Sequence, residues 1–305
     1  MLHTILAPKY MALGAFVASA VYIHFRGKVK HRFSRQLSDH STILAPYNAL
    51  MYLFSSVPAK PFLDINQFPE LTRLGENWET IRDEGLRLFD DGFIRAAAKY
   101  NDLGFNSFFR SGWKRFYVKW YDSALRSAED LCPKTVELVQ SIPTLHAVVF
   151  ALLPPGGRLV THRDPFAGSM RYHLGLSTPN SPDCFIVVDG ETYHWRDGEG
   201  VVFDETYIHY AENKTDKTRL ILFCDVERPL RNRIVTSINR FVIRHVVKAT
   251  ASQNLAHEPV GVLNHVFSVL YRVRLLGKRI KRWNKTVYYL IKYALIGGLL
   301  YAILS

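Results

Sequence analysis

HAVVFALL (146–153) and TRLILFCDV (218–226) open and close a series of short runs with β-strand character. Four more lie between them: RYHLGLST (171–178), CFIVVDG (184–190), ETYHW (191–195) and GVVFDE (200–205). Turn residues separate the runs, among them Pro154-Pro155-Gly156-Gly157 and Asp197-Gly198. Runs at this spacing, with no long helical pattern between them, predict an antiparallel barrel or jelly roll.

Helical patterns flank this region on both sides. Apolar residues recur near the 3.6-residue period after Pro69, and the pattern returns at Val235–Val247. The 305-residue chain therefore predicts an α+β protein with a jelly-roll core and flanking helices. We expect six segments: an N-terminal membrane anchor (1–25), a basic juxtamembrane connector (26–66), a helical region with an aromatic and basic strand (67–145), the catalytic core (146–230), a basic helical region (231–285) and a C-terminal membrane anchor (286–305).

The excess positive charge lies in two short stretches. Net charge is +12, from 39 Lys and Arg against 27 Asp and Glu. Residues 26–36 contain five basic residues and residues 272–292 contain eight, with no acid in either stretch. The remainder is close to neutral, which argues against a nucleic-acid-binding face and favours segments that flank membrane anchors. Three cysteines without a CxxC motif indicate a reducing compartment and no disulfide framework.

The two ends of the chain are the candidate anchors. Tyr10–Phe25 is a run of sixteen uncharged residues, and Tyr293–Leu304 is also uncharged. A cleaved signal peptide is the alternative at the first end, because Ala18-Ser19-Ala20 resembles a cleavage site. At the second end the alternative is a helix that lies in the membrane interface. Both basic stretches lie on the body side of the ends, so the positive-inside rule places the body in the cytoplasm.

The aromatic stretch SFFRSGWKRFYVKWY (107–121) permits two interpretations. Alternation over Lys114–Trp120 predicts a strand with mixed faces. Such a strand is either an amphipathic sheet edge or a surface that meets a phosphorylated or lipid substrate.

Two histidines and one aspartate in the β region predict a metal site. His162 and Asp164 are two residues apart on an extended stretch, so their side chains project to the same side. His209 follows a further strand that can fold alongside. Two imidazoles and a carboxylate are the facial triad of non-haem Fe(II) oxygenases, which leaves positions open for a cosubstrate and dioxygen.

Arg219 lies inside the last apolar run, where a buried guanidinium requires an anion. The distal carboxylate of a dicarboxylate cosubstrate is one candidate, and an ion pair with Asp204 or Asp225 is the alternative. Between the proposed ligands, Arg163 is expected to point away from the metal. Asp204 and Glu205 are candidates to orient His209.

Three motifs resemble the aspartyl/asparaginyl β-hydroxylase family: HRDPFAGSMRYHLGL (162–176), FDETYIHYAEN (203–213) and TRLILFCDVERP (218–229). The resemblance implies a double-stranded β-helix that uses Fe(II), 2-oxoglutarate and O2. It implies that His162 and His209 are iron ligands and that Arg219 binds 2-oxoglutarate. It also implies that His173 contacts the cosubstrate, with a hydrogen-bonded core histidine as the alternative, and that Arg171 contacts cosubstrate or substrate.

This chain departs from the animal peptide hydroxylases of that family at two positions. Those enzymes have glycine where Asp164 stands, and a serine near the position of Ala151. The stretch GWKRFYVKWYD (112–122) and the apolar ends are instead similar to the branch that hydroxylates lipid A in bacteria. The resemblance therefore implies 2-hydroxylation of a secondary acyl chain of lipid A at the cytoplasmic face of the bacterial inner membrane. The alternatives are the same chemistry on an ornithine lipid or on Asp or Asn side chains of a protein, or a non-catalytic, membrane-tethered binding module.

Overall fold

The computed structural model describes residues 8–37, 39–97, 102–121 and 125–304. Its strands are β1 (Phe62–Leu63), β2 (Lys114–Trp120), β3 (Leu145–Leu153), β4 (Arg158–His162), β5 (Ser169–Ser177), β6 (Cys184–Val188), β7 (Glu191–His194), β8 (Gly200–Phe203), β9 (His209–Asn213) and β10 (Arg219–Glu227). They form a larger sheet in the order β1-β8-β5-β10-β3-β2 and a smaller one in the order β4-β9-β6-β7.

The strands from β3 to β10 form a jelly roll. The chain crosses repeatedly between the two sheets, and each sheet receives four of these eight strands, all paired antiparallel. This arrangement is the double-stranded β-helix, so the predicted α+β fold with a jelly-roll core is confirmed. The smaller sheet has a partly accessible outer face, because β6 and β9 alternate between buried and half-buried residues.

Helices cover the outer face of the larger sheet, and β3 is consequently buried along its whole length. The helix Trp78–Asp90 approaches closely at Gly85, where a Cβ atom would lie 2.8 Å from Cε1 of Phe150. The α-helices are Pro8–Phe25, Phe33–Gln36, His40–Ile43, Ala45–Leu53, Thr72–Glu76, Trp78–Asp90, Arg126–Leu131, Pro133–Gln140, Arg233–Val242, Val262–Trp283 and Lys285–Leu304. Short 3-10 turns span Ile65–Gln67, Pro69–Leu71, Phe108–Ser111 and Lys248–Thr250, and a π-helical turn spans Ile243–Val247.

The described parts of both terminal segments are helical. Nowhere in the described ranges is a helix both long and apolar enough to cross a membrane. The predicted spanning anchors at 1–25 and 286–305 are therefore not confirmed; residues 1–7 and 305 lie outside the described part. Lys9 stands in the first turn of one helix and Lys292 interrupts the other, so each uncharged run is shorter than the roughly 20 residues of a span.

The aromatic stretch forms β2, an edge strand of the larger sheet, as the first of its two interpretations predicts. Phe116 and Tyr117 belong to the core, and Arg115 is buried against the carboxylate of Asp102 at 2.9 Å. Phe108 and Trp113, from the same aromatic stretch, line a cavity that also contains His162. The interpretation of the stretch as a surface that meets a substrate stays a prediction.

Candidate active site

The pairing of β4 with β9 brings the two histidines together. His162 is the last residue of β4, His209 is the first of β9, and the two are register partners. Their ring centroids are 4.2 Å apart. Asp164 follows two residues later, and its main-chain N–H donates to the carbonyl of Glu205 at 3.0 Å.

The three side chains form a group that fits a metal ion. One ligand atom from each of His162, Asp164 and His209 lies within 4.8 Å of the others. Nδ1 of His162 bonds to the carbonyl of Val160 at 2.7 Å, and Nδ1 of His209 bonds to the carbonyl of Tyr207 at 2.9 Å. A carbonyl can only accept, so both Nδ1 atoms carry the proton and both Nε2 lone pairs remain available for a metal.

The charge states also suit metal binding. Burial lowers the pKa of His209 to about 3 and lowers the pKa of His162, so both rings are neutral at physiological pH. Burial alone would raise the pKa of Asp164, but the guanidinium of Arg171 outweighs it and holds that pKa well below its usual range. Neutral imidazoles beside a carboxylate are the donor set that a divalent iron site needs.

Arg219 is a buried cation, and it lines the same cavity as His162, Asp164 and His209. Its side chain lies over the ring of Trp195, 4.3 Å from the centroid, and only 1% of the residue is exposed. Burial lowers its pKa to about 10, so it stays charged at neutral pH. In the described part of the chain, no acidic group forms a salt bridge with it.

The alternative ion pairs for Arg219 are wrong, because both acids have other partners. Asp204 pairs with Arg26 and Arg228, and Asp225 pairs with Arg171. A cation that is buried without an acid is unfavourable unless a ligand supplies the charge. Arg219 is thus available to bind an anion that enters the cavity.

His173 lies in the same cavity, among aromatic rings. Its ring centroid is 5.0 Å from that of Phe203 and 5.5 Å from that of Phe223. Neither ring nitrogen has a hydrogen-bond partner within the described residues, which disagrees with the hydrogen-bonded core histidine considered from the sequence. Burial lowers its pKa well below the usual value, so the ring is neutral and can donate one hydrogen bond to a ligand.

Comparison with known proteins identifies the family. A family model described as aspartyl/asparaginyl β-hydroxylase matches residues 75–229, slightly more than half of the chain. The chain belongs to the aspartyl/asparaginyl β-hydroxylase family.

Three relatives illustrate the range of this family. An ornithine lipid ester-linked acyl 2-hydroxylase of Rhizobium tropici is 39% identical over 121 residues, covering 39% of this chain and 43% of the relative. The human aspartyl/asparaginyl β-hydroxylase is 28% identical over 190 residues, covering 59% and 24%. Human aspartate β-hydroxylase domain-containing protein 2 is 32% identical over 205 residues, covering 64% and 54%. The chain thus spans between about a quarter and about half of the length of these relatives.

The guanidinium of Arg171 forms salt bridges with several acidic side chains. It contacts Asp164 at 2.9 Å, Asp225 at 2.7 Å and the carboxylate of Glu205, and it lies 3.6 Å from the ring centroid of Phe223. Arg171 therefore fixes the carboxylate of a proposed iron ligand. Its predicted contact with cosubstrate or substrate stays a prediction.

The structure bears on three further residues that the sequence analysis singled out, Arg163, Asp204 and Glu205. Arg163 points away from the metal group, as predicted, and donates to the carbonyl of Ile23 at 2.9 Å. Asp204 and Glu205 do not orient His209 through their side chains; the carbonyl of Tyr207 does so instead.

The sequence analysis did not identify two contacts of the site: the ion pair of Asp225 with Arg171, and the stacking of Arg219 on Trp195. Asp225 and Arg219 lie an even number of residues apart on β10, so their side chains point to the same side, and this alternation could have indicated Asp225. Trp195 follows β7 without such a signal.

Proposed function

We propose that the chain is an Fe(II)- and 2-oxoglutarate-dependent hydroxylase that acts on an acyl chain of a membrane lipid. The observation that carries this proposal is one cavity lined both by the group His162, Asp164 and His209 and by the buried Arg219. The group needs a metal and the guanidinium needs an anion. A dicarboxylate such as 2-oxoglutarate serves both, because it can reach the metal with one end and the arginine with the other.

Four cavity residues have defined parts in this proposal. His162, Asp164 and His209 would hold Fe(II), which supplies the oxidising chemistry when bound with 2-oxoglutarate and dioxygen. Arg219 binds the distal carboxylate of 2-oxoglutarate and so fixes its orientation. The reaction turns a C–H bond of the substrate, dioxygen and 2-oxoglutarate into a C–OH group, carbon dioxide and succinate, so that atoms and electrons balance.

The cavity walls protect this chemistry from water. Apolar and aromatic side chains line the space between the metal group and Arg219, among them Phe108, Phe223 and Trp195. Phe108 lies over His162 with ring centroids 4.8 Å apart. Such walls strengthen the charge pairing between Arg219 and a carboxylate, and they suit an apolar substrate.

A lipid substrate is supported by the name of the Rhizobium relative and by an exposed apolar helix face. The helix Arg233–Val242 exposes Ile234, Ile238 and Phe241, which are spaced along one face, and Ile234 is 73% exposed. Arg233 and Arg244 are exposed beside this face. An apolar stripe with cations at its edge fits the anionic surface of a membrane.

A C-terminal helix adds a second exposed apolar face with basic residues at its end. The helix Val262–Trp283 exposes one apolar row and ends in basic residues. The row consists of Val262, Val266, Val269, Leu270, Val273 and Leu276. The proposal also includes attachment to the surface of a bacterial inner membrane, with the catalytic domain on its cytoplasmic side.

Turnover by the purified full chain tests the proposal. The chain in detergent receives Fe(II), 2-oxoglutarate and ascorbate, and separate reactions contain lipid A, ornithine lipid or an Asp/Asn-containing peptide. Mass spectrometry follows succinate and a product heavier by one oxygen atom. His209→Ala is the loss-of-function variant, and His257→Ala, which replaces an exposed histidine outside the cavity, is its matched control.

The outcomes separate the candidate substrates. Succinate with a hydroxylated lipid, absent in His209→Ala and retained in His257→Ala, supports the proposal. The lipid that gains the oxygen distinguishes lipid A from ornithine lipid. Hydroxylation of the peptide alone overturns the lipid assignment, and bound iron without any succinate would favour the non-catalytic binding module.

A further inference from the structure

The segment after the N-terminal helix is fastened to the turn between β8 and β9. Arg26 donates to Asp204 at 2.6 Å and to the hydroxyl of Thr206 at 3.0 Å. The main-chain N–H groups of Lys28 and Val29 donate to the carboxylate of Asp189 at 2.9 and 2.8 Å. Residues 26–29 thus form part of the folded body, through contacts with residues that lie 160 to 180 positions later in the sequence.

Arg26 is enclosed between two aromatic rings. Its guanidinium carbon lies 3.9 Å from the ring centroid of Tyr52 and 3.9 Å from that of Tyr207. Only 7% of the Arg26 side chain and 2% of the Asp204 side chain are exposed. The buried ion pair and the two stacked rings hold the guanidinium in one position, and they hold Tyr207 with it.

The turn that Arg26 contacts also holds two of the proposed metal ligands. The carbonyl of Tyr207 accepts from Nδ1 of His209 at 2.9 Å, and the carbonyl of Glu205 accepts from the N–H of Asp164 at 3.0 Å. The turn is itself closed by the N–H of Tyr207, which donates to the carbonyl of Asp204 at 3.1 Å. A shift of this turn would therefore move the ring of His209 and the carboxylate of Asp164, two of the proposed metal ligands.

Gly27 permits the close approach between the two segments. Its φ is +90°, and a Cβ atom would lie 2.7 Å from Oδ1 of Asp189 and 2.9 Å from Cδ1 of Tyr207. A side chain at this position would push against Tyr207, the residue that orients His209.

We infer that Arg26 is a positioning residue of the metal site, acting through Tyr207 and the turn 204–207 on His209 and Asp164. The N-terminal segment is then a structural component of the catalytic centre as well as a connection to the first helix. This inference rests on the proposed metal-dependent function.

Metal affinity of the full chain, titrated with Co(II) alone, tests the inference. Loss of a group that orients a metal ligand typically weakens metal binding by about 10- to 100-fold. We expect at least about tenfold weaker Co(II) binding in Arg26→Gln, a partial recovery in Arg26→Lys, and a change in the visible Co(II) spectrum. Gly27→Ala should weaken binding in the same direction, and it provides a second test if Arg26→Gln fails to fold.

Two controls separate positioning from general stability. Lys28→Gln removes the same charge from the same segment, but its partner Glu191 is exposed, so Co(II) affinity should not change. Arg228→Gln removes the other cation on Asp204, which lies 3.0 Å from the same oxygen. Within the described ranges its guanidinium lies over the ring of Tyr52 and not over that of Tyr207. Thermal unfolding of the metal-free chain measures the structural cost of each variant.

Each result has a defined meaning. Weaker Co(II) binding in Arg26→Gln than in Arg228→Gln, at similar metal-free stability, supports the inference. Unchanged Co(II) affinity in Arg26→Gln, or an equal loss in both arginine variants, overturns it while the metal site stands. A wild-type chain that binds neither Co(II) nor Fe(II) would instead refute the proposed function.

Discussion

Replacing Arg219 with methionine should stabilise the ligand-free protein while it abolishes cosubstrate binding. Burial lowers the pKa of Arg219 from the ordinary arginine value to about 10. That difference corresponds to roughly 3 kcal/mol of unfavourable free energy for the charged group in the fold. Because the folded pKa lies below the unfolded one, this cost is present in full at every pH below about 10.

The net effect is smaller, because the variant also loses a favourable contact. The stack of Arg219 on Trp195 contributes about 1–2 kcal/mol in a desolvated site. Methionine is flexible and fills the remaining space. We therefore expect the free energy of unfolding of Arg219→Met to exceed that of the wild type by about 1–2 kcal/mol, estimated from the two opposing contributions.

Thermal unfolding with Mn(II) in place of Fe(II) measures both effects. Wild-type protein should gain about 2.7 kcal/mol when 2-oxoglutarate is present at a hundred times its Kd, and Arg219→Met should gain nothing. Arg171→Met is the matched control. It should be strongly destabilised, because it leaves the carboxylates of Asp164, Glu205 and Asp225 without their cation.

A ligand-free Arg219→Met protein that unfolds more easily than the wild type would refute this reasoning. It would mean that Arg219 contributes to the fold and is not a cation kept for an incoming anion. Undiminished stabilisation by 2-oxoglutarate in the variant would refute the assigned role equally directly.

Three further predictions concern other parts of the molecule. Asp164→Gly, which introduces the residue of the animal peptide enzymes, should weaken Fe(II) binding about tenfold or more in a metal titration; unchanged affinity would show that Asp164 is not a ligand. Burial lowers the pKa of His31 to about 4, so the unfolded chain takes up a proton first and stability should fall from pH 6.5 towards 4. Denaturant titrations across this range should show a shallower decline for His31→Asn, and an equal decline would exclude the histidine as the cause. Ile238→Ser with Phe241→Ser should reduce co-sedimentation with anionic lipid vesicles, whereas retained binding would move the membrane contact to another face.

The metal group was predictable because its geometry is local. His162 and Asp164 share a side of one extended stretch, and His209 opens the strand that pairs with it. The jelly roll was predictable for a similar reason, since each apolar run is short and bounded by turn residues. Arg219 was recognisable because a cation inside an apolar strand has few explanations.

Long-range burial was not predictable from the same patterns. Arg115 reads as a surface cation in an aromatic stretch, yet Asp102 and Ser252, 13 and 137 residues away, enclose it in the interior. The position of Arg26 depends in the same way on Asp204, which is 178 residues away. Local alternation specifies which way a side chain points, but it does not reveal which distant group it meets.

The two cavity arginines show how this distant environment determines function. Along β10 the inward positions run from Arg219 through Ile221 and Phe223 to Asp225, and Asp225 pairs in register with Arg171. Arg171 contacts three carboxyl groups at one end of this row, whereas Arg219 at the other end forms no ion pair with an acid among the described residues. The same residue type therefore fixes the carboxylate of the proposed ligand Asp164 in one place and remains open to an anion in the other. We therefore expect a dicarboxylate to bind this polarised cavity in one orientation only, with its free end at Arg219 and its other end at the metal group.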